Sequence, residues 1–294
     1  MTETYPEVLA ISFQKGGTGK TFTTLNIAGG LAARGFDVLV IDLDPQGTLT
    51  ANLGERELYK DLDALSLDEI LLDPKSWDNV NDLIHTDHQE FDLIPSNQTY
   101  NGNKTPLDSA DAGENRLGRL LQRLEDDYHY IVCDCPPDFS PYAKNAVTAG
   151  EKIVVPMEPE TEMPHSTDLL FDQYEVLGMM HDLDIQYLAF LMTINSTKMT
   201  NENKRIVEWF KETFDEKGVL TDHRAAFARA KKSQQSIYAH PESLRNDELE
   251  RYDELLQLIL EQTSPPTLGL DVEAAKAMTI EEIRAATGDQ EVKA

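Results

Sequence analysis

The feature that most constrains the fold is a loop rich in glycine and lysine that joins an apolar strand to a helix. Residues 8–14 (VLAISFQ) form an apolar run, residues 14–21 read QKGGTGKT, and residues 20–34 carry apolar side chains at helical spacing. Glycines let backbone N–H groups converge on an anion, and the N-terminus of the following helix favours negative charge. The pattern predicts a phosphate-binding loop at the end of a buried strand.

The residue types in this loop match the chemistry of a nucleoside triphosphate with Mg²⁺. Lys20 is expected to bridge the β- and γ-phosphates of ATP, and the Thr21 hydroxyl is expected to ligate Mg²⁺. The common pattern G-x-x-x-x-G-K-[ST] places a glycine where this chain has Gln14, and an additional lysine, Lys15, follows. The predicted nucleotide-binding residues of the loop are Lys15, Gly16, Gly17, Thr18, Gly19, Lys20, Thr21 and Phe22.

Further apolar runs alternate with helical stretches along the chain. Strands are predicted at residues 37–41, 91–94, 130–133, 152–156, 187–194 and 218–220. Helices are predicted at residues 117–124, 167–177, 203–217 and 247–262. Strands that are apolar throughout favour an α/β fold, with a mostly parallel, twisted sheet of about seven to eight strands and helices on both faces. Residues 96–115 are polar and predict a surface loop.

Two prolines mark a boundary near the C-terminus. The sequence Ser264-Pro265-Pro266 interrupts the chain after the last predicted helix of the core. Residues 1–263 are therefore predicted to form one domain. Residues 264–294 are predicted to form an acidic tail with one short helix near residues 272–286.

The charge of the chain is strongly negative. Lys and Arg number 26 and Asp and Glu number 53, which gives a net charge of −27. This charge repels nucleic acid and anionic membranes over most of the surface. One interpretation is adaptation to the salt-rich cytoplasm of a halophile, and the alternative is an ordinary acidic protein.

The start MTETYPEV lacks the pattern of a secretory signal, so a cytoplasmic location is expected.

Carboxylates follow two of the predicted strands. Residues 41–47 read IDLDPQG and supply Asp42 and Asp44, and residues 130–137 read YIVCDCPP and supply Asp134. The carboxyl ends of parallel strands form the ligand-binding edge of such a sheet. Asp134 is expected to act on Mg²⁺ through water, because Mg²⁺ keeps several waters. The flanking Cys133 and Cys135 share one face of their strand and are interpreted as buried apolar side chains.

These motifs together resemble those of the ParA/MinD family of ATPases. KGGTGKT resembles the deviant Walker A motif, IDLDPQG most closely resembles the second motif of the ParA/Soj branch, and YIVCDCPP resembles the Walker B strand. The resemblance implies that Lys15 reaches the phosphates bound by a partner in a sandwich dimer, that Asp44 positions the attacking water and that Asp42 acts near Mg²⁺. It gives a catalytic set of Lys15, Lys20 and Asp44, and a metal set of Thr21, Asp42 and Asp134.

Later parts of the chain depart from that family. Residues 160–168 read ETEMPHSTD and residues 193–198 read TINSTK, where the family has other motifs. Asn195 is expected to contact adenine. These departures bear on partner contacts more than on ATP binding.

The resemblance also raises two surfaces on which the protein could act. MinD-like proteins bind membranes through a C-terminal amphipathic helix, but the predicted tail helix carries acidic residues on its polar face, so no membrane binding is expected. ParA-like proteins bind DNA nonspecifically, and residues 223–240 contain no acidic residue. The predicted DNA contacts are Arg224, Arg229, Lys231 and Lys232. The alternative is that this stretch is a solvated helix face or pairs with carboxylates of the same chain.

The resemblance implies a switch that dimerises with ATP and hydrolyses it with Mg²⁺ to ADP and phosphate. Hydrolysis is expected to be slow alone and faster with a ParB-like or other activating protein, and the ATP-bound homodimer is expected on the nucleoid. The implied function is segregation or positioning of plasmid or chromosomal DNA. Two alternatives remain open: a positioning ATPase for a protein cargo, and a nucleotide-gated regulator with little hydrolysis.

Overall fold

The computed structural model describes residues 5–86, 88, 90–194, 198–222, 234–239 and 246–291. In this part of the chain seven strands form one sheet, in the order β3-β2-β4-β1-β5-β6-β7, and every neighbouring pair is parallel. The strands are β1 Glu7–Ile11, β2 Val38–Asp42, β3 Asp92–Ile94, β4 Tyr130–Asp134, β5 Lys152–Met157, β6 Gln186–Ile194 and β7 Gly218–Asp222. The predicted α/β fold with a parallel sheet is confirmed.

Helices cover both faces of this sheet. In β1, Val8 and Ala10 belong to one buried cluster, whereas Leu9 and Ile11 belong to the other. Both sets of side chains are buried, which explains why the strands are apolar throughout rather than alternating. The α-helices are α1 Lys20–Ala32, α2 Thr48–Asn52, α3 Arg56–Lys60, α4 Leu67–Leu72, α5 Tyr100–Asp108, α6 Arg116–Leu121, α7 Pro141–Gly150, α8 Met163–His181, α9 Asn201–Thr213, α10 Asn246–Glu261, α11 Val272–Lys276 and α12 Ile280–Glu291. Within the described ranges, no helix combines the length and apolarity needed to cross a membrane.

The prediction of a surface loop at residues 96–115 is wrong. Residues Tyr100–Asp108 form α5 and Gly113–Asn115 form a 3₁₀ turn. The segment is polar in composition, so nothing in its residue types indicated a packed helix. Tyr100 and Leu107 are nevertheless fully buried, and because they lie about two helical turns apart, they pack one face of α5 on the core. The Tyr100 ring stacks on that of Tyr142, with 4.9 Å between the ring centroids.

The C-terminal tail contains two helices, α11 and α12, rather than one. Ala275 and Ile283 are buried in the same cluster as α1 and α10. The Lys276 ammonium also donates a hydrogen bond to the carbonyl of Thr263 at 2.7 Å. The described part of the tail therefore packs on the core, and a domain boundary after residue 263 stays a prediction.

Helix α1 packs tightly against α10. Gly30 lies where a Cβ atom would come within 2.3 Å of the Leu256 side chain and 2.8 Å of the Tyr238 ring. One turn later, the fully buried Arg34 donates a hydrogen bond to the carbonyl of Gly30 at 2.9 Å and forms an ion pair with Asp253. These contacts hold the far end of the helix that begins at the phosphate loop.

Candidate functional site

The phosphate loop connects β1 to α1 at the carboxyl edge of the sheet. Gly17 and Gly19 have φ values of 80° and 87°, the left-handed region that residues with a side chain rarely adopt. Gly19 directly precedes the first residue of α1. The loop therefore presents backbone N–H groups and the positive end of the helix to the same place, as an anion site requires.

Lys20 is the buried cation of the loop. Its Nζ donates a hydrogen bond to the carbonyl of Lys15 at 2.8 Å, and the residue is 7% exposed. Burial lowers the pKa of the Lys20 ammonium, while the neighbouring Asp134 and Asp44 act in the opposite direction. The position and charge agree with the predicted role of Lys20 toward a bound phosphate.

Asp134 and Asp42 lie side by side because they are paired residues of the neighbouring strands β4 and β2. Asp134 is fully buried, and its Oδ1 accepts a hydrogen bond from the Thr24 hydroxyl at 3.2 Å. Burial raises the pKa of Asp134 well above its usual value and nearby Asp42 adds to this, whereas the Thr21 hydroxyl and Lys20 lower it in part. Asp134 Oδ2 has no hydrogen-bond partner of normal geometry among the described residues.

Asp42 is held by three donors. The backbone N–H and the hydroxyl of Thr50 donate to its Oδ2 at 2.9 and 2.6 Å, and the backbone N–H of Asp44 donates to its Oδ1 at 3.1 Å. Burial raises the pKa of Asp42 to about 7, although the hydrogen bonds from Thr50 lower it in part. Asp42 thus fixes the backbone at Asp44, a function that the motif alone did not indicate.

Asp44 is half-buried at the turn after β2. Its Oδ1 accepts a hydrogen bond from the backbone N–H of Gln46 at 2.9 Å, and its carbonyl accepts one from the Ser96 hydroxyl at 2.7 Å. Burial raises the pKa of the Asp44 carboxyl. These contacts orient a carboxylate into the cavity that the phosphate loop also lines.

That cavity has a volume of about 570 Å³. Residues 16–22 of the phosphate loop and Asp44 line it, whereas Lys15, which the sequence analysis also expected at the nucleotide, is not among its lining residues. The sequence analysis missed the remaining lining residues, which are Leu25, Gln46, Thr48, Asn52 and Pro137. Thr48 and Asn52 are four residues apart on the short helix α2, so their shared face was detectable only once that helix had been recognised.

The donor set of the site fits a hydrated Mg²⁺ ion. Thr21 contributes a hydroxyl beside Asp134, and Asp134 contributes a carboxylate at the end of β4. Asp42, expected near the ion, lies at the end of the adjacent strand, but both of its oxygens already accept hydrogen bonds from Thr50 and Asp44. Mg²⁺ prefers oxygen ligands and retains several waters. A buried carboxylate oxygen without a hydrogen bond is costly, so the unpaired Asp134 Oδ2 is the observation that favours a cation or its water here.

Lys15 is engaged by a different part of the chain. Its ammonium forms an ion pair with Glu160 and lies 3.6 Å from a carboxylate oxygen of Glu162. The hydrogen bond to Glu160 raises the pKa of Lys15 despite its partial burial. The sequence analysis noted that residues 160–168 are unusual but could not pair them with Lys15, because the contact joins positions far apart in the chain.

Five predicted site residues lie outside the described residues. Asn195 was expected at adenine, and Arg224, Arg229, Lys231 and Lys232 were expected at DNA. Their roles stay predictions. Cys133 and Cys135 are both fully buried, as predicted, and burial raises the pKa of each thiol.

A glycine-rich loop between β1 and α1, with a lysine and two strand-end carboxylates beside it, defines a P-loop nucleotide-binding protein of the α/β class. The family profile described as AAA domain (AAA_31) matches residues 6–177. The sporulation initiation inhibitor protein Soj of Bacillus subtilis is 32% identical over 212 residues, which cover 72% of this chain and 81% of Soj. The chain belongs to this family of ParA- and Soj-type ATPases, as its motifs predicted.

Solved structures share the fold. A plasmid partition protein of Borrelia burgdorferi bound to AMPPNP superposes with a TM-score of 0.69 at 23% identity, covering 88% of this chain and 100% of the other. Cobyrinic acid a,c-diamide synthase of Mycobacterium smegmatis, with bound ADP and magnesium, superposes with a TM-score of 0.67 at 27% identity, covering 89% and 98%. These similarities support the assignment of the fold.

Proposed function

We propose that this protein binds ATP with Mg²⁺ and hydrolyses it to ADP and phosphate, as a switch that positions or segregates DNA. The observation that carries the proposal is the cavity lined by the phosphate loop and the half-buried Asp44. Asp134 lies beside Thr21 of that loop, and its Oδ2 has no hydrogen-bond partner among the described residues. The bound nucleotides of similar structures and the family membership support it.

The residues of the site have separate roles in binding and hydrolysis. The loop backbone and Lys20 bind the phosphates, and Thr21 with Asp134 would hold Mg²⁺, which neutralises phosphate charge when bound. Asp44 orients the attacking water, while Asp42 holds Asp44 in place through the 3.1 Å contact to its backbone N–H. Phosphoryl transfer is mainly a matter of positioning and charge neutralisation, so these few groups suffice.

ATP binding is proposed to join two copies of the chain, with Lys15 of each reaching the nucleotide of the other. The dimer would bind DNA nonspecifically through the basic stretch that contains Arg224, Arg229, Lys231 and Lys232, in the cytoplasm and on the nucleoid. A ParB-like protein would accelerate hydrolysis and release the dimer. In the alternative function the ATPase cycle is the same, but the protein positions a protein cargo instead of DNA.

A phosphate-release assay tests the enzymatic part of the proposal. Wild-type protein with Mg²⁺-ATP should release phosphate slowly, and Asp44→Ala should release at least about tenfold less while still binding ATP, because a water-positioning group is removed. Gln122→Ala, an exposed position away from the cavity, serves as the control. Undiminished release by Asp44→Ala would show that another group orients the water, and absent release by the wild type with DNA and partner present would favour a nucleotide-gated regulator.

A further inference from the structure

The ion pairs of Lys15 connect the phosphate loop to the segment between β5 and α8. Glu160 contacts the Lys15 ammonium directly, and Glu162 lies 3.6 Å away. The Lys15 side chain is 24% exposed, whereas those of Glu160 and Glu162 are 47% and 71% exposed. One lysine of the phosphate loop therefore faces two carboxylates within the same protomer.

The two glutamates are held in place by the backbone around them. The carbonyl of Glu160 accepts a hydrogen bond from Met163 N at 3.0 Å, and that of Glu162 accepts one from Ser166 N at 2.9 Å. Asn203 of α9 also donates its side-chain amide to the carbonyl of Pro159. These hydrogen bonds fix the backbone of both glutamates directly before α8, which places their carboxylates within reach of Lys15.

We propose that Glu160 and Glu162 form a lock that keeps Lys15 within its own protomer and opposes dimerisation. This inference rests on the proposed function, in which Lys15 serves the nucleotide of a partner. With the lock closed, Lys15 and its two carboxylates carry a net charge of −1, which repels an incoming triphosphate. Formation of the dimer exchanges two glutamates for phosphate oxygens around each Lys15.

The lock is expected to raise the dimer dissociation constant only modestly. A partly exposed ion pair shifts an equilibrium by roughly threefold. A dimer opens two locks, one in each protomer, so the effect on the dimer dissociation constant is roughly tenfold. This magnitude delays association without preventing it, as a nucleotide-dependent switch requires.

Analytical ultracentrifugation of the full chain with Mg²⁺ and AMPPNP tests the lock. The variant Glu160→Gln/Glu162→Gln should dimerise roughly tenfold more tightly than the wild type at low salt, and this gain should shrink toward 1 M KCl because salt screens exposed charges. Asp168→Asn, an exposed position on α8, is the matched control for removing a carboxylate and should behave as the wild type. The loss of the gain at high salt is the readout that a merely structural role of the glutamates would not produce.

The outcomes separate the lock from the function on which it rests. A wild type that dimerises with AMPPNP, together with a double variant that dimerises equally or less tightly, contradicts the lock alone. A wild type and a double variant that both stay monomeric contradict the lock and the proposed dimer. A double variant that dimerises where the wild type does not supports both. AMPPNP binding and the unfolding midpoint of each variant show whether it is folded.

Discussion

At the scale of single residues, the site depends on charges that are buried before any ligand arrives. Lys20 lies among Asp134, Asp44 and the loop carbonyl of Lys15, and it lines the cavity. In the described part of the chain, Asp134 Oδ2 has no hydrogen-bond partner. Such groups are costly for the free protein, so their presence indicates a site organised for a ligand rather than for stability.

The Lys20→Ala variant should lose nucleotide binding, whereas Lys15→Ala should retain it in the monomer. Both lysines belong to the phosphate loop, but Lys20 is buried and lines the cavity, whereas Lys15 is paired with Glu160 and is not among the lining residues. We expect the dissociation constant for ATP to rise by at least about 100-fold in the first variant, because a charge-assisted contact to phosphate is removed, and by less than about threefold in the second. Titration calorimetry with Mg²⁺-ATP measures both, and equal losses would contradict the division of roles.

Glu114 offers a prediction about pH. Burial acts to raise the pKa of Glu114, but hydrogen bonds from His181 and Lys144 outweigh it and lower the pKa below the usual value. The stabilisation is therefore present above the unfolded-state pKa of about 4.3 and is lost as pH falls through the lower folded-state pKa. Glu114→Gln should therefore reduce the free energy of unfolding by about 1 kcal/mol between about pH 7 and pH 5, and by progressively less as pH falls below about 4.

Urea unfolding at a series of pH values measures this difference. Glu175→Gln, an exposed carboxylate of α8, is the control and should change little at any pH. A deficit of Glu114→Gln that keeps its full size below about pH 4 would count against the ion pairs as its cause.

At the scale of elements, helix α1 joins the phosphate loop to the C-terminal helices. Gly30→Ala should destabilise the protein by about 1–3 kcal/mol, because the new methyl group would meet Leu256 and the buried Tyr238. Gly102→Ala is the matched control, since it lies within α5 with no atom within 4 Å of the added Cβ. The control should be neutral or stabilising by up to about 1 kcal/mol. Urea unfolding measures the free energy of unfolding of both variants. Equal effects would show that the packing of α1 against α10 rearranges to accept the added methyl group.

The elements also show what the sequence could predict. The phosphate loop and the carboxylates of Asp42, Asp44 and Asp134 were predictable because each is a short segment at the end of an apolar strand. Helix α5 was missed because its surface residues are polar and only Tyr100 and Leu107 face the core. Contacts between distant segments, such as Lys15 with Glu160, leave no local pattern to detect.

At the scale of the whole molecule, the net charge of −27 governs behaviour in salt. Carboxylates of the same sign repel one another in the compact state, and at 1 M salt the screening length falls to about 3 Å. If the acidic surface is an adaptation to salt, the melting temperature should rise by about 5 °C or more between 0.1 and 2 M KCl. Calorimetry with KCl and, as the control for ion type, NaCl tests this, and a flat profile would contradict the halophilic interpretation.

The strand order has a consequence for synthesis of the chain. Strand β1, which carries the phosphate loop, pairs with β4 and β5 and not with β2. The ribosome must therefore release the chain as far as residue 134 before β1 meets its first neighbour, and as far as residue 157 before it meets its second. Until then β1 is an apolar strand without a sheet, and such strands associate with whatever edge is near. Pauses in translation between β1 and β4 should therefore prolong the stage at which the nascent chain most needs a chaperone.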